Sequence, residues 1–323
     1  MNFAASTVEG PKRNLIEGSP PDTSRSASLT TTVPREYVHR ASMSEVLLTD
    51  CRRVSDGRYA LTGQWPRAHA FFTSADGGSH DPLQAAETIR QAALFIAHTE
   101  LGVPLDHRFV PWDFAFGVHH ESLVIGASPS NLDLDVECVD VLRAQDGTVE
   151  IVLDVVIRRA EAPLATGHLR FTCAPPLNTP DRSCAAVADG HHSCLRSRAA
   201  PPGDGAPYRS VVLGPAGRPG TWQLEPDPAH PVLFDGDGDD IPHLVALEAA
   251  RQASAALLTA DHALHVTDVS GAFVRQPDAE RACWIDAAPQ PVQSADALSV
   301  LVTARQGGHP VWVSQVRGRV LPR

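Results

Sequence analysis

One short pattern occurs twice in this chain, and it constrains the fold more than any other feature of the sequence. Residues 80–91 read HDPLQAAETIRQ and residues 241–252 read IPHLVALEAARQ, so both segments end in Glu-x-x-Arg-Gln. Their alignment pairs three polar positions: Glu87 with Glu248, Arg90 with Arg251, and Gln91 with Gln252. A repeated motif of this kind indicates two copies of one supersecondary unit.

The repeat extends beyond the helical motif. His69 and His230 each precede the glutamate of their own copy by the same interval, and each follows a strand-like segment, RYALTGQW or GTWQLEP. Both copies close with alternating apolar residues around a polar turn, in IVLDVVIRRAEAPLATGHLRF and LSVLVTARQGGHPVWVSQVRGRV, which is typical of antiparallel hairpins. Each unit is therefore predicted to contain a strand, a loop with a histidine, a helix and several further strands.

The first repeated helix is apolar around most of its circumference. We predict it over residues 81–99, with Asp81 as the N-cap and Pro82 at the first helical position. The apolar members are Leu83, Ala86, Ile89, Leu94, Phe95 and Ala97. Because such a helix has to be enclosed, we expect an α+β fold in which an antiparallel sheet wraps around one long helix, twice over.

Composition divides the chain of 323 residues into four segments. Residues 1–33 are rich in Ser, Thr and Pro without apolar periodicity, which predicts a disordered tail. Residues 174–209 contain closely spaced prolines, which predicts an irregular linker. The two repeats then occupy residues 34–173 and 210–323.

Charge and hydropathy exclude several classes of function. A formal net charge of −11 disfavours binding to nucleic acid or to an anionic membrane surface. The sequence lacks a signal-peptide pattern and any apolar run of about 18–20 residues, so we expect a cytoplasmic protein without a membrane partner. Residues 235–240 have Asp240 at the sixth position, where a calcium loop has glycine, and Cys184 and Cys194 lack Cys-x-x-Cys spacing, so no metal and no cofactor are expected.

The polar residues of the repeated helix are the candidate site. Glu87, Arg90 and Gln91 share one helical face, and burying unpaired charges costs several kcal/mol, so these charges must compensate each other or serve a site. We predict Glu87 and Glu248 as general bases and Arg90 and Arg251 as phosphate-binding residues. An intrahelical ion pair is the alternative, worth about 0.3–0.5 kcal/mol when exposed.

Four further residues complete the predicted substrate site. Gln91 and Gln252 either hold the glutamates or hydrogen-bond an acyl carbonyl. His69 and His230 are candidate pocket-loop residues, with packed, hydrogen-bonded histidines as the alternative. The aromatic residues of FVPWDFAF, which are Trp112, Phe114 and Phe116, form either core or the wall of an acyl-chain tunnel.

Several motifs together resemble those of a known family. The segments VHRASMSEVLLTD, QWPRAHAFF, HDPLQAAETIRQ, FVPWDFAF and LEAARQA, spread over about 38–320, are similar to the A-factor (γ-butyrolactone autoregulator) synthase family, the AfsA-like proteins. The helix after a His-Pro loop also resembles that of the hotdog dehydratases, although the His-to-Glu interval is longer here. The resemblance implies two tandem hotdog units forming a pseudo-dimer.

The resemblance also implies an activity and its partners. AfsA-like proteins transfer a β-ketoacyl group from acyl carrier protein to dihydroxyacetone phosphate, on the way to a quorum-sensing signal of secondary metabolism. We expect the working cleft to combine Glu87 with Arg251 across the pseudo-twofold, because the first helix has the better start and the second loop is more acidic. A hotdog dehydratase or thioesterase, and a non-catalytic butyrolactone- or acyl-binding module, are the alternatives.

Overall fold

The computed structural model describes residues 31–176, 210–215, 217–234, 241–278 and 281–323. Within these ranges, one antiparallel sheet of twelve strands partly encloses two long helices. The first repeat contains β1 (Leu48–Ser55), β2 (Arg58–Trp65), α1 (Pro82–Thr99), β3 (Arg108–Val118), β4 (Ser130–Arg143), β5 (Val149–Arg159) and β6 (Ala162–Ala174). Three short 3-10 helices, Arg35–Val38, Met43–Glu45 and His120–Leu123, accompany them.

The second repeat has the same order of elements. It contains β7 (Leu213–Pro215), β8 (Thr221–Leu224), α2 (His243–Ala255), β9 (His262–Phe273), β10 (Trp284–Pro289), β11 (Ala297–Gln306) and β12 (His309–Pro322). The predicted hairpins are confirmed as β5–β6 and β11–β12, and the second of them turns at Gly307 and Gly308, which both have positive φ. Glycine adopts that conformation at little steric cost.

The sheet order shows how the repeats are related. The order is β1-β2-β4-β5-β6-β3-β9-β12-β11-β10-β8-β7, so the second half repeats the first half in reverse. The halves join where β3 pairs with β9, with Phe114 opposite Gly271 and Phe116 opposite Val269. Each half is therefore one hotdog unit, and the two units form the predicted pseudo-dimer.

Helix α1 is enclosed as its apolar residues predict. Its start is confirmed, because the Asp81 side chain accepts a hydrogen bond from the Leu83 N–H at 2.8 Å. The predicted apolar members are buried, except for Phe95, which is partly buried. A Cβ at Gly167 of β6 would lie 2.3 Å from the Ile89 side chain, so the glycine allows the sheet to approach the helix closely.

Parts of the predicted domain plan lie outside the described residues. The predicted tail, residues 1–33, is described only from residue 31, and Val33 is buried, with its N–H donating to the Leu48 carbonyl. Of the predicted linker, residues 177–209 are outside the description, as are Cys184, Cys194 and residues 235–240. None of the helices within the described ranges combines the length and apolar character that a membrane span requires.

Candidate active site

Glu87 lies at the centre of a fully buried polar cluster on α1. Its Oε1 accepts a hydrogen bond from Nε of Arg40 at 3.0 Å, and Nη2 of Arg40 lies 2.8 Å from the same oxygen. Nη2 of Arg90 lies 2.8 Å from the same oxygen, and Nε of Arg90 lies 2.9 Å from Oε2. The carboxylate therefore forms ion pairs with two arginines that are themselves only 7 % exposed.

The ionisation state of Glu87 follows from these partners. Burial alone would raise the pKa of the carboxyl, because it removes the charged form from water. The guanidiniums of Arg40 and Arg90 outweigh that effect and hold the pKa of Glu87 well below its usual range. Glu87 is therefore ionised at neutral pH and is a weak base.

Arg40 was not among the residues predicted from the sequence. It follows the first 3-10 helix, and its Nη1 donates to the Val232 carbonyl of the second repeat at 2.8 Å. Arg40 thus links the Glu87 cluster to the loop that carries His230. Its segment, VHRASMSEVLLTD, contributes to the family resemblance, but no helical spacing connects position 40 with position 87.

Gln91 uses its whole side chain to hold this cluster. Its Nε2 donates to the Glu45 carbonyl at 2.7 Å and to Oε1 of Glu87 at 2.8 Å, and its Oε1 accepts from the Leu47 N–H at 2.8 Å. Because both amide hydrogens are already used, this geometry favours the interpretation that Gln91 holds the glutamate.

The second repeat contains an equivalent cluster around Glu248. Nε and Nη2 of Arg251 lie 2.8 and 2.5 Å from the carboxylate of Glu248, and Gln252 Nε2 lies 2.6 Å from it. Gln252 also donates to the Ser210 carbonyl and accepts from the Val212 N–H, as Gln91 does with its own neighbours. The two glutamines therefore have the same role in both repeats.

The second cluster differs from the first in its electrostatics. Burial raises the pKa of Glu248, and Arg251 offsets that shift only in part. Asp81, the N-cap of α1, acts in the same direction as burial. The side chain of Arg251 is 33 % exposed, whereas Glu248 is 1 % exposed. Glu248 is thus the more basic of the two glutamates.

The structure differs from the expected pairing of Glu87 with Arg251. Among the described residues, each glutamate binds the arginine of its own helix, because residues three positions apart lie on one helical face. The interactions between the repeats instead join each cluster to a residue at the start of the opposite helix. His243, the first residue of α2, interacts electrostatically with Glu87 and Arg90. Asp81, at the start of α1, interacts with Glu248 and Arg251.

A narrow cleft lies between the repeats at the first cluster. Arg90 and Ile89 of α1, Phe114 and Phe116 of β3, and His243 of α2 contribute to its walls. Phe114 and Phe116 are also 7 % and 5 % exposed members of the core, which agrees with the interpretation of these aromatic residues as core. The indole N–H of Trp112 instead donates to the Thr172 hydroxyl at 2.7 Å.

His69 and His230 occupy equivalent positions and stabilise equivalent turns. Nδ1 of His69 accepts from the N–H groups of Phe71 and Phe72 at 3.1 Å. Nδ1 of His230 likewise accepts at 3.2 Å from the N–H groups two and three residues later. An accepting Nδ1 leaves the proton on Nε2 in the neutral ring, and Nε2 of His69 lies 3.2 Å from a Glu45 carboxylate oxygen.

His243 was also missed by the sequence predictions. In the aligned repeats it replaces Pro82, which is the favoured residue type at a first helical position. That replacement is the signal that could have identified it. Its ring packs edge-on against Phe109 of β3, with the ring centroids 5.9 Å apart.

Comparison with known proteins agrees with the repeat and the fold. The family profile described as the A-factor biosynthesis hotdog domain matches residues 21–175 and 211–322. A 2-oxo-3-(phosphooxy)propyl 3-oxoalkanoate synthase from Streptomyces virginiae is 38% identical over 279 residues, which are 86% of this chain and 94% of that protein. A synthase of the same name from Streptomyces coelicolor is 31% identical over 293 residues, covering 88% and 91%.

A solved structure resembles the fold at much lower identity. It is described as an oleoyl thioesterase from Lactobacillus plantarum, with a TM-score of 0.50 and 12% sequence identity. The match covers 82% of this chain and 97% of that one. The similarity concerns the fold alone, which is a pair of hotdog units.

Proposed function

Because this chain belongs to the A-factor biosynthesis hotdog family, AfsA, we propose that it transfers a β-ketoacyl group from acyl carrier protein to dihydroxyacetone phosphate. In this reaction a hydroxyl oxygen of the triose phosphate forms the new ester bond, the thioester C–S bond breaks, and the hydroxyl proton ends on the departing thiolate. The relatives' name, 2-oxo-3-(phosphooxy)propyl 3-oxoalkanoate synthase, describes the ester that such a transfer produces. The proposed location is the cytoplasm.

The observation that carries this proposal is the position of Arg90 at the cleft between the repeats. Nε and Nη2 of Arg90 bind Glu87 and the Val38 carbonyl, whereas Nη1 makes no hydrogen bond to a described residue. A guanidinium fixed in this way is preorganised to bind a phosphate through charge-assisted hydrogen bonds from Nη1. The start of α2 lies at the same cleft and adds positive potential.

The second cluster suits a phosphate less well. There a single guanidinium, that of Arg251, interacts with two carboxylates, those of Glu248 and Asp81. A phosphate dianion that approached Arg251 would be repelled by both carboxylates at short range. We therefore assign the triose phosphate to the first cluster, and Arg90 replaces Arg251 as its proposed ligand.

The two glutamates then have different proposed roles. Glu87 is already bound to two arginines and is a weak base, so its proposed role is to hold Arg90 in position. Glu248 has the raised pKa that suits a general base. Because the carboxylate of Asp81 interacts with it and would also repel a phosphate, Glu248 is not assigned to the phosphate site. Gln91 and Gln252 support the glutamates, and His69 and His230 stabilise the turns of their own loops through Nδ1.

The decisive experiment is a transfer assay. The protein is incubated with a 3-oxoacyl thioester of acyl carrier protein and dihydroxyacetone phosphate, while free thiol and the phosphorylated ester are followed by colorimetry and mass spectrometry. We expect thiol release that depends on the triose phosphate, with one ester formed per thiol. Release that ignores the triose phosphate would instead identify a thioesterase. An absence of release with any 3-oxoacyl thioester would favour a binding module.

Four matched variants test which cluster works. Arg90→Lys keeps the charge but loses the planar fork, so we expect about a tenfold higher KM for dihydroxyacetone phosphate. Arg251→Lys should leave that KM nearly unchanged. Glu87→Gln should also raise KM, through displacement of Arg90, whereas Glu248→Gln should not. The reverse pattern, with the Arg251 and Glu248 variants impaired, would move the site to the second repeat.

A further inference from the structure

His243 is placed for contact with a substrate in the cleft between the repeats. It lines the cleft together with Arg90, and it is partly exposed there. Neither of its ring nitrogens makes a hydrogen bond to a described residue, although the ring is held at the start of α2 against Phe109. The two histidines predicted from the repeat, His69 and His230, already use Nδ1 to bind the backbone.

We propose that His243 is a catalytic residue that donates a hydrogen bond, as a neutral imidazole, to the thioester carbonyl oxygen while negative charge develops on it. This inference rests on the proposed acyl transfer. Arg90 would hold the phosphate of the acceptor in the same cleft, and Phe114 and Phe116 would border the acyl group. The second repeat would thereby supply a reacting group to the cluster of the first repeat.

The surroundings of His243 keep its imidazole neutral. Burial lowers its pKa most, and the nearby guanidiniums of Arg90 and Arg40 lower it further, while Glu87 opposes them, giving a pKa of about 3. The N-terminal end of α2 acts in the same direction as the arginines. His168 of β6 is the remaining titratable residue that lines the cleft. A neutral imidazole is a suitable hydrogen-bond donor to an oxyanion, as in enzymes whose electrophilic histidine sits at a helix N-terminus.

The chemistry assigned to His243 involves no net proton transfer from its ring. The acceptor hydroxyl oxygen attacks the carbonyl carbon, and the carbonyl oxygen becomes negatively charged in the tetrahedral intermediate. The ring N–H stabilises that oxygen until the C–S bond breaks and the carbonyl re-forms. The hydroxyl proton ends on the thiolate that leaves. The expected contribution to turnover is that of one oxyanion donor.

Kinetics of three full-length variants test the proposal. His243→Phe removes the donor and should lower kcat about 10²-fold, with little change in KM for dihydroxyacetone phosphate. His243→Gln retains an N–H donor and should recover part of that loss. His309→Gln, at an exposed position in β12, is the matched control and should retain wild-type kinetics. A His243→Phe enzyme with turnover within about threefold of wild type would overturn the proposal.

The pH dependence separates a neutral donor from a proton-transferring histidine. Since the pKa of His243 is about 3, a His243 that acts as a neutral donor does not change its protonation between pH 5 and 7. It therefore causes no decrease of kcat/KM on the acid side of that range. A wild-type acid limb in that range that disappears in His243→Gln would contradict the neutral-donor role. Far-ultraviolet circular dichroism of each variant establishes that the fold is retained.

A binding measurement keeps this inference distinct from the proposed function. The protein is prepared with histidine labelled in its ring nitrogens with the heavy isotope. The ring signals are followed by nuclear magnetic resonance while the 3-oxoacyl amide analogue of the thioester is added. We expect the His243 signal, assigned by its loss in His243→Gln, to remain that of a neutral ring and to shift on binding. If wild type releases no thiol, the proposed function fails, and this shift alone decides the placement of His243. An unshifted His243 signal in the presence of bound analogue would overturn it.

Discussion

Arg40 and Glu87 form a buried ion pair that connects the two repeats. Nη2 of Arg40 lies 2.8 Å from Oε1 of Glu87, and the two side chains are 5 % and 1 % exposed. The same guanidinium reaches the Val232 carbonyl in the second repeat through Nη1. Arg40 therefore couples the charge of the site to the contact between the hotdog units.

We predict that Arg40→Met is strongly destabilising. The substitution leaves the buried carboxylate with one arginine instead of two, and breaking a buried pair costs about 3–5 kcal/mol. Arg53→Met is the control, because Arg53 pairs with Asp56 on the surface and such pairs contribute about 0–1 kcal/mol. Urea unfolding of both variants gives the comparison. Equal losses in the two variants would show that the Arg40 pair contributes little to stability.

We predict that substitutions at Gly167 of β6 and Ile89 of α1 have coupled effects on stability, because the two residues are in close contact. A Cβ at this position would lie 2.3 Å from Cδ1 of Ile89, so Gly167→Ala should cost about 1–3 kcal/mol through overpacking. Ile89→Val removes Cδ1, so the double variant should be more stable than the sum of the single effects predicts, by about 0.5–1 kcal/mol. Unfolding free energies of the three variants measure this coupling.

Gly271 provides the matched control for that cycle. A Cβ there would lie 2.5 Å from the backbone oxygen of Val313, which no change at Ile89 can move away. Gly271→Ala should therefore be destabilising with or without Ile89→Val. Additive effects in the Gly167 pair would refute the close contact between Gly167 and Ile89.

The pairing of β3 with β9 predicts that the repeats associate as separate chains. These two strands are the only hydrogen-bonded junction between the halves of the described sheet. A cut within residues 177–209 leaves each half with an unpaired strand edge and an apolar face, which favour association. Co-expressed halves should co-purify as a one-to-one complex in size-exclusion chromatography. Two stable monomers would contradict the pseudo-dimer.

His80 predicts a loss of stability in mild acid. It is 1 % exposed, and burial together with Arg159 lowers its pKa to about 4. The unfolded chain therefore binds this proton from about pH 6.5 downwards, whereas the folded chain binds it only near pH 4. In this window His80 should contribute a decrease of about 1.4 kcal/mol in unfolding free energy per pH unit, and no decrease above it.

Two asparagine variants isolate that contribution. His80→Asn removes the titrating group, so its unfolding free energy should depend less steeply on pH between 6.5 and 4 than that of the wild type. His309→Asn, at an exposed position, should retain the wild-type slope. Urea unfolding across this pH range is the measurement, and identical slopes in all three proteins would contradict the assignment.

Local sequence determined the elements and the partners within each helix. Asp81 and Pro82 specify where α1 begins, since an N-cap and an N1 proline act over a single turn. The spacing of Glu87 and Arg90 places both on one face, so their ion pair follows from helical geometry alone. The alternation of β11 and β12 and their turn residues likewise specify a hairpin. Such interactions need no knowledge of distant residues.

Tertiary structure decided which charges meet across the repeats and how they ionise. Glu87 and Glu248 occupy identical motifs, yet the pKa of the first is lowered and that of the second is raised. Arg40 supplies that difference from 47 positions away in the sequence, and Asp81 from the opposite helix. Likewise, His243 meets Arg90 only because β3 pairs with β9 and brings the two hotdog units together. Solvation and Coulomb interactions depend on neighbours in space, which a repeat motif does not specify.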